Sequence, residues 1–491
     1  MHMRSESAGR SAIWAVLGQG VGQALSLLIF LVIARFVAQA SFGIVAVSLA
    51  SIEFIRRALL DPITFVVTAK PKVEERDFSV CFSILVVLSV AATSLLLVCA
   101  PLVAWLIGSP QAGSTLRSVA VMLLGFGVAG SQGAWLVRGM QFRALALRSI
   151  ASVVAGGIVG ITMALNGFDL WSLVAQQVTI NLVGAAILWL TSGWRPHFTL
   201  SWADARDSFR RARHISMSAI WTSIANDADL FFASAFFGPT AAGVYNAGKR
   251  ILLTANLLLV STISAVTLPI LANLEHDRER GASFLDGLRM ASVGTAPAFI
   301  GLAVASQDLV HIILGPHWMA VGPIIAAMAF SGYAFSIGQF ATSVLLVAQR
   351  AHLDSRTSAI SALLNVVAFV LVVRFGPVAL AATVSITTLC VVPIRVRFAL
   401  KELDLHWPQV FEALLPSIIA SSAMAISVLS LRLLLPADLA AILRLTASIS
   451  YGIIVYALWL RIFAPNLFRM TMAASSEAIG IRAPSRATEA D

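Results

Sequence analysis

Charge is scarce in this chain. Only 12% of its 491 residues are Asp, Glu, Lys or Arg, against about a quarter in an ordinary soluble domain. That is too little polar surface to coat a soluble particle of this size, so a soluble enzyme is excluded. A disordered chain is excluded too, because disorder needs low hydrophobicity and high charge. Cysteine is also rare. Cys81, Cys99 and Cys390 each sit inside an apolar run, where they read as small packing residues rather than as a disulfide framework. The eight histidines form no H-E-x-x-H or other metal spacing, and no cofactor or metal is expected. No nucleophile elbow is present, and no connecting segment is long enough for a soluble domain.

What the sequence does contain is apolar length. Hydrophobic residues make up 58% of the chain and the mean hydropathy is +0.88. The first apolar run, 11–34, is too long for the roughly 7–15-residue core of a signal peptide. It is long enough to cross a hydrocarbon core of about 30 Å, so it reads as an uncleaved first helix. Fourteen spans are predicted, at roughly 11–34, 42–67, 78–107, 117–137, 149–166, 170–192, 215–237, 242–272, 290–314, 320–348, 357–373, 377–394, 411–431 and 439–460. Turn residues punctuate them, among them Ser41-Phe42-Gly43, Asn166-Gly167, Gly238-Pro239 and Gly376-Pro377.

The net charge of +10 would suggest nucleic acid in a soluble protein. In a polytopic one it reports basic cytoplasmic loops, and no nucleic acid is expected. Of the 34 Lys and Arg, only Arg35, Arg117, Arg374 and Arg432 follow odd-numbered spans. Arg56, Arg57, Lys249, Arg250 and Arg444 fall within spans, and the rest lie at the N-terminus or after even-numbered spans. Both termini are therefore predicted to be cytoplasmic.

The chain also repeats weakly at a spacing near 207. Ser11-Ala12-Ile13-Trp14 recurs as Ser218-Ala219-Ile220-Trp221, and Gly43, Gly108 and Gly167 correspond to Gly243, Gly315 and Gly376. The unit is six spans, an even number, so the copies are parallel. The expected organisation is all-α, with a six-helix lobe at 1–200, a second at 201–405, and two further helices with a tail at 406–491. Two such bundles rocking about a central cavity suit alternating access.

Ionisable residues inside spans are the candidate site, because charge in hydrocarbon is costly unless paired or functional. The second span carries Glu53, Arg56, Arg57 and Asp61. Helical spacing places Glu53, Arg57 and Asp61 on one face. This is either a self-neutralising stripe or a diphosphate site, for which the planar guanidinium is suited. The seventh span carries Asp227 and Asp229, and the eighth Lys249 and Arg250. Asp229 and Lys249 each lie about 14 Å from the Gly238-Pro239 turn at helical rise, so they are expected to meet across the hairpin as a structural or a gating pair. Gln19 and Gln23, among glycines of the first span, are either interhelical hydrogen bonders or ligands for sugar hydroxyls. Gln176, Gln177 and Asn181 divide the same way, and Trp14, Trp171 and Trp221 read as interfacial anchors. Gly243 to Lys249 spells G-x-x-x-x-G-K, but Arg250 replaces the required Ser or Thr and no strand precedes it. Nucleotide binding is not expected there.

Several strings resemble the multidrug/oligosaccharidyl-lipid/polysaccharide exporter superfamily, and within it the polysaccharide-transporter branch of Wzx-type flippases. They are Ala34-Arg35 through Gly43, GFDLWSLVAQQ (167–177), WRPHFTLSW (194–202), GVYNAGKR (243–250), LPILANLEHDRER (268–280) and LGPHW (314–318). The resemblance implies an undecaprenyl-diphosphate-linked oligosaccharide as cargo, turned over in the bacterial inner membrane for lipopolysaccharide or exopolysaccharide synthesis. It also implies delivery to polymerase and export machinery. Arg35, Arg56, Arg57, Lys249, Arg250, Gln19 and Gln23 are then the candidate cargo ligands. Glu53, Asp61, Asp227 and Asp229 are candidates for gating or ion coupling. Two alternatives stay open. A cation-coupled multidrug exporter of the same superfamily would present an acidic, apolar cavity. A membrane glycan polymerase or ligase would display a large periplasmic loop.

Overall fold

Apolar segments that lie in hydrocarbon must satisfy their own backbone polar groups, and the α-helix does this within one segment. The computed structural model describes residues 2–199, 201–273, 277–436 and 439–478. Within those ranges side chains are described except at 2–13, 15–17, 19, 106, 260–273, 277–278, 351 and 473–478. No strand occurs among the described residues. The helices are α1 (His2–Ile33), α2 (Gln39–Ile55), α3 (Asp61–Ala69), α4 (Glu75–Ile107), α5 (Pro110–Arg138), α6 (Phe142–Leu165) and α7 (Leu170–Thr191). They continue as α8 (Trp202–Asn273), α9 (Asp277–Ile313), α10 (Val321–Val347), α11 (Ala351–Val372) and α12 (Pro377–Glu402), then α13 (Trp407–Leu434), α14 (Ala441–Phe463) and α15 (Pro465–Ala478).

Ten helices among the described residues are long and apolar enough to cross a membrane. The other expected spans are α1, with an apolar stretch over Gly20–Ile33, the interrupted α2–α3 segment, and the two arms of α8. The protein is a polytopic all-α membrane protein. A helix of α8's length would run about 108 Å at 1.5 Å per residue. It is broken at Gly238, whose φ of 81° leaves the helical region, and Pro239 follows with no N–H to continue the ladder. The repeat's turn glycines Gly167 and Gly376 share a left-handed backbone, with φ of 80° and 98°.

Contacts divide the chain into two compact units. The first comprises Met1–Leu258, Ile313–Ile324 and Ser355–Thr387. In it α4 packs on α5, α6 on both α1 and α7, and α2 and α3 on α5. The second comprises Leu259–Ile312, Ile325–Asp354 and Thr388–Asp491. Its core joins Phe284 and Leu288 of α9, Phe340 and Val344 of α10, Val396 and Leu400 of α12, and Val410 of α13. The short amphipathic α15 lies beyond the fourteen expected spans. Its Leu467 closes a small cluster with Ala420 and Leu460. Asp308 of α9 is nearly buried and receives Arg432 of α13 and Arg444 of α14, the latter at 2.9 Å. Two otherwise costly charges near the ends of α13 and α14 are thereby paired.

Candidate functional site

The site is built on α2 and its continuation. α2 begins without a side-chain cap of its own. Asp169, in the turn before α7, supplies one: its carboxylate accepts from Ala38 N at 2.8 Å and from Ser41 Oγ at 2.6 Å. An anion at a helix N-terminus is favoured by the exposed N–H groups and the helix dipole. Phe42 is buried between Phe30 and Trp318, with ring centroids 5.3 and 5.4 Å apart. Trp318 donates its indole N–H to the Ala34 carbonyl at 2.8 Å, and Gln39 donates to the His317 carbonyl at 2.6 Å. The second span is thus pinned at one end.

Fifteen residues on, the helix changes pitch. Arg56–Leu60 form a π-helical segment between α2 and α3, a feature that inserts one extra residue into a turn. The spacing that would put Arg57 between Glu53 and Asp61 therefore does not hold. Arg56 takes that place instead. It donates to Glu53 at 2.7 Å and to Asp61 at 2.9 and 3.0 Å, while its guanidinium lies 5.2 Å from the Phe126 ring centroid. Arg57 turns toward α8, meeting Asp227 at 3.2 Å and Glu53 at 3.6 Å.

From Asp227 the charges continue across the Gly238 hairpin. Lys249 stands 3.8 Å from Asp227 and 2.7 Å from Asp229, and it also donates to the Asn226 carbonyl. Asp229 is buried, at 3% exposure. It accepts from Tyr245 Oη at 3.0 Å and from Leu230 N at 2.8 Å. Asp61, Arg56, Glu53, Arg57, Asp227, Lys249 and Asp229 thus form one continuous chain. Asp229 and Lys249 meet as the hairpin arithmetic predicts. Buried ions retained in this way need full hydrogen bonding to offset their desolvation, and Asp229 has it.

One end of this chain borders an open cavity of about 580 Å³ lined by α2–α3, α4, α5, α6 and α7. Glu53, Arg56, Asp61, Phe126, Arg148, Gln177 and Asn181 contribute to its wall. The expected spans leave Arg148 in the basic segment after the fourth. The structure places it in α6, which starts at Phe142. The unbroken helical pattern from Phe142 onward was the available signal. Its Nε is buried with no hydrogen-bond partner, as is Asn181 Oδ1. No carboxylate pairs with Arg148 among the described residues. An unmet donor and an unmet acceptor therefore share the wall with an arginine already gripped by two acids.

The remaining candidates lie elsewhere. Arg250 is drawn onto α1, donating to Ser26 Oγ at 2.7 Å and standing 4.7 Å over the Phe30 ring. Arg35 lines a separate cavity of about 810 Å³ with Gln39, Thr240 and His317. Gln23 is half-buried on α1. The side chain of Gln19 lies outside the described residues.

The profile of a family described as polysaccharide biosynthesis protein matches residues 32–323. The chain is 28% identical over 334 residues to the succinoglycan biosynthesis transport protein ExoT of Rhizobium meliloti (strain 1021), covering 67% of each chain. It is 21% identical over 373 residues to the lipopolysaccharide biosynthesis protein WzxC of Escherichia coli (strain K12), covering 73% of this chain and 74% of that one. Among solved structures, the lipid II flippase MurJ in an inward closed conformation superposes with a TM-score of 0.76 at 15% identity, over 93% of this chain and 99% of that one. An inward-facing multidrug resistance MATE family transporter of the MOP superfamily superposes with a TM-score of 0.59 at 13% identity, over 79% and 98%. At these identities the structural likeness is one of fold: the fold is that of these membrane transporters.

Proposed function

The chain belongs to the polysaccharide biosynthesis protein family, and from that premise we propose that it turns a lipid-linked oligosaccharide over from one membrane face to the other. The cargo in this reading is an undecaprenyl-diphosphate-linked repeat unit in the bacterial inner membrane. It is taken up on the cytoplasmic side, where both termini lie, and released to periplasmic polymerisation and export. The moving bodies are the lobes 1–200 and 201–405, flanked by 406–491. The names of the relatives, which concern succinoglycan transport and lipopolysaccharide biosynthesis, support the cargo class. Physics supplies the need: a diphosphate and several sugars cannot cross hydrocarbon without partners for their polar groups.

The observation that carries this reading is the wall of the 580 Å³ cavity. Arg148 presents an unpaired guanidinium, and Asn181 an unmet carbonyl oxygen. A phosphate oxygen satisfies the first, with the shorter, stronger geometry of a charge-assisted bond. A sugar hydroxyl satisfies the second. A cationic drug fits this wall poorly, because Glu53 and Asp61 are both engaged by Arg56. The test is ligand-induced thermal stabilisation of the purified protein. A short-chain polyprenyl-diphosphate disaccharide should raise the melting temperature of the wild type and not of Arg148→Ala. Stabilisation by tetraphenylphosphonium, with none from the diphosphate, would transfer the assignment to a drug exporter.

A further inference from the structure

Before α8 enters the apolar region it carries an exposed stripe of alternating aromatic and arginine residues. Trp202, Arg206, Phe209 and Arg213 follow at i, i+4, i+7 and i+11, hence along one helix face. All four are exposed, Trp202 at 85% and Phe209 at 43%. Phe198, just upstream, is 64% exposed. One flank of the stripe is the packed side of the helix, with Ala205 and Ala212 buried. Acidic groups are held off the stripe. Asp204 pairs with Arg76 at 3.3 Å, and Asp207 pairs with Arg210 and Arg211, each at 2.8 Å. Arg206 and Arg213 pair with no carboxylate among the described residues.

The stripe is fixed in place and in depth. The extended segment that leads into it is tied to α4: Thr199 N donates to Ser83 Oγ at 2.8 Å, and His197 N to Ser79 Oγ at 3.4 Å. Ser83 is already within the apolar run of α4. Phe198 therefore sits beside the hydrocarbon boundary, and Trp202 opens α8 three residues after Thr199. A fully exposed Trp in water is a cost without a return, whereas at a bilayer interface its apolar ring and polar N–H are both satisfied. Alternating aromatic and arginine side chains on one face match a surface that is apolar beneath and anionic at the level of its phosphates.

We propose that Phe198, Trp202, Arg206, Phe209 and Arg213 form a binding surface for anionic phospholipid headgroups at the membrane face from which α8 enters. The aromatic rings seat among the acyl-chain ends of the headgroup layer, and Arg206 and Arg213 take the phosphates. Lipid gripped here holds the linker between the sixth and seventh spans against the bilayer.

The test uses the full chain in vesicles of phosphatidylcholine with or without phosphatidylglycerol, with shallow bromine quenchers on one lipid at a time. The signal of Trp202 is the difference between wild type and Trp202→Phe. Brominated phosphatidylglycerol should quench Trp202 more than brominated phosphatidylcholine at equal bromine content. The preference should fall by roughly fivefold for each arginine removed in Arg206→Gln and Arg213→Gln. Equal quenching by both lipids in the wild type would overturn recognition of the anionic headgroup. Absence of quenching by either would overturn membrane contact and leave the stripe to a protein partner.

Discussion

Gly43 of α2 and Gly243 of α8 pack backbone against backbone. A methyl group added at Gly43 would overlap the Pro239 carbonyl oxygen and approach Gly243 N to 2.8 Å; one added at Gly243 would overlap the Gln39 carbonyl. Backbone cannot swing aside as a side chain can. These two glycines are also the ones the internal repeat sets against each other. Gly43→Ala or Gly243→Ala should therefore force α2 and α8 apart, at about 1–3 kcal/mol. The expected outcome is a lower melting temperature together with faster labelling of a cysteine placed at Thr240. Gly20→Ala, with nothing within 4 Å of the added carbon, is the control and should melt as wild type.

The side chains of the Asp229–Lys249 pair are largely hidden, at 3% and 12% exposure, so the pair is expected to act mainly in stability. Asp229→Asn leaves Lys249 with Asp227 at 3.8 Å as its remaining acid. Breaking a buried pair costs about 3–5 kcal/mol, so folded protein recovered from the membrane should drop sharply. Asp229→Asn/Lys249→Gln should recover much of it. Normal yield of the single variant with failed transport would instead make the pair a gate.

Arg56 and Arg57 are adjacent in sequence and have different duties. Arg56 is the cation that neutralises Glu53 and Asp61 at the cavity wall, whereas Arg57 reaches Asp227 from a side chain 41% exposed. Partly exposed pairs add only about 0–1 kcal/mol, so neither alanine variant should abolish folding. Arg56→Ala turns the wall acidic and should stop transport at near-normal protein level. Arg56→Lys should keep part of it, because a point charge cannot grip two carboxylates with one fork. Arg57→Ala should be the milder. Transport rates normalised to protein quantity decide the order, and full transport by the Arg56→Ala/Arg57→Ala double variant would remove both from the site.

The spans were legible because apolar length and turn chemistry are local properties of the chain. The Asp229–Lys249 contact was legible for a related reason: one hairpin with a known rise places two residues at equal depth. The Arg56 bridge was not, since it depends on the π segment at Arg56–Leu60; Pro62, which has no N–H to continue the ladder, marks the break but does not give its register. Nor was the cap that Asp169 gives to α2, which joins positions 131 apart in sequence. The place of Arg148 turns on a helix boundary. The expected span begins at 149 and α6 begins at Phe142, so the first seven residues of the helix, with Arg148 as the last of them, fall outside the expected span.

Translocation of a lipid-linked anionic glycan past the cavity wall that includes Arg148 is directly measurable. The direct measurement is translocation in sealed vesicles holding the purified chain and a fluorescent polyprenyl-diphosphate oligosaccharide, read by loss of protection from a membrane-impermeant quencher. The wild type should expose the inner-leaflet cargo well above the protein-free rate, and Arg148→Ala should fall by about tenfold or more, the equivalent of one charge-assisted hydrogen bond of roughly 1.5–3 kcal/mol. Exposure no faster than in protein-free vesicles would rule out translocation of this cargo, and an Arg148→Ala rate equal to wild type would remove Arg148 from its path.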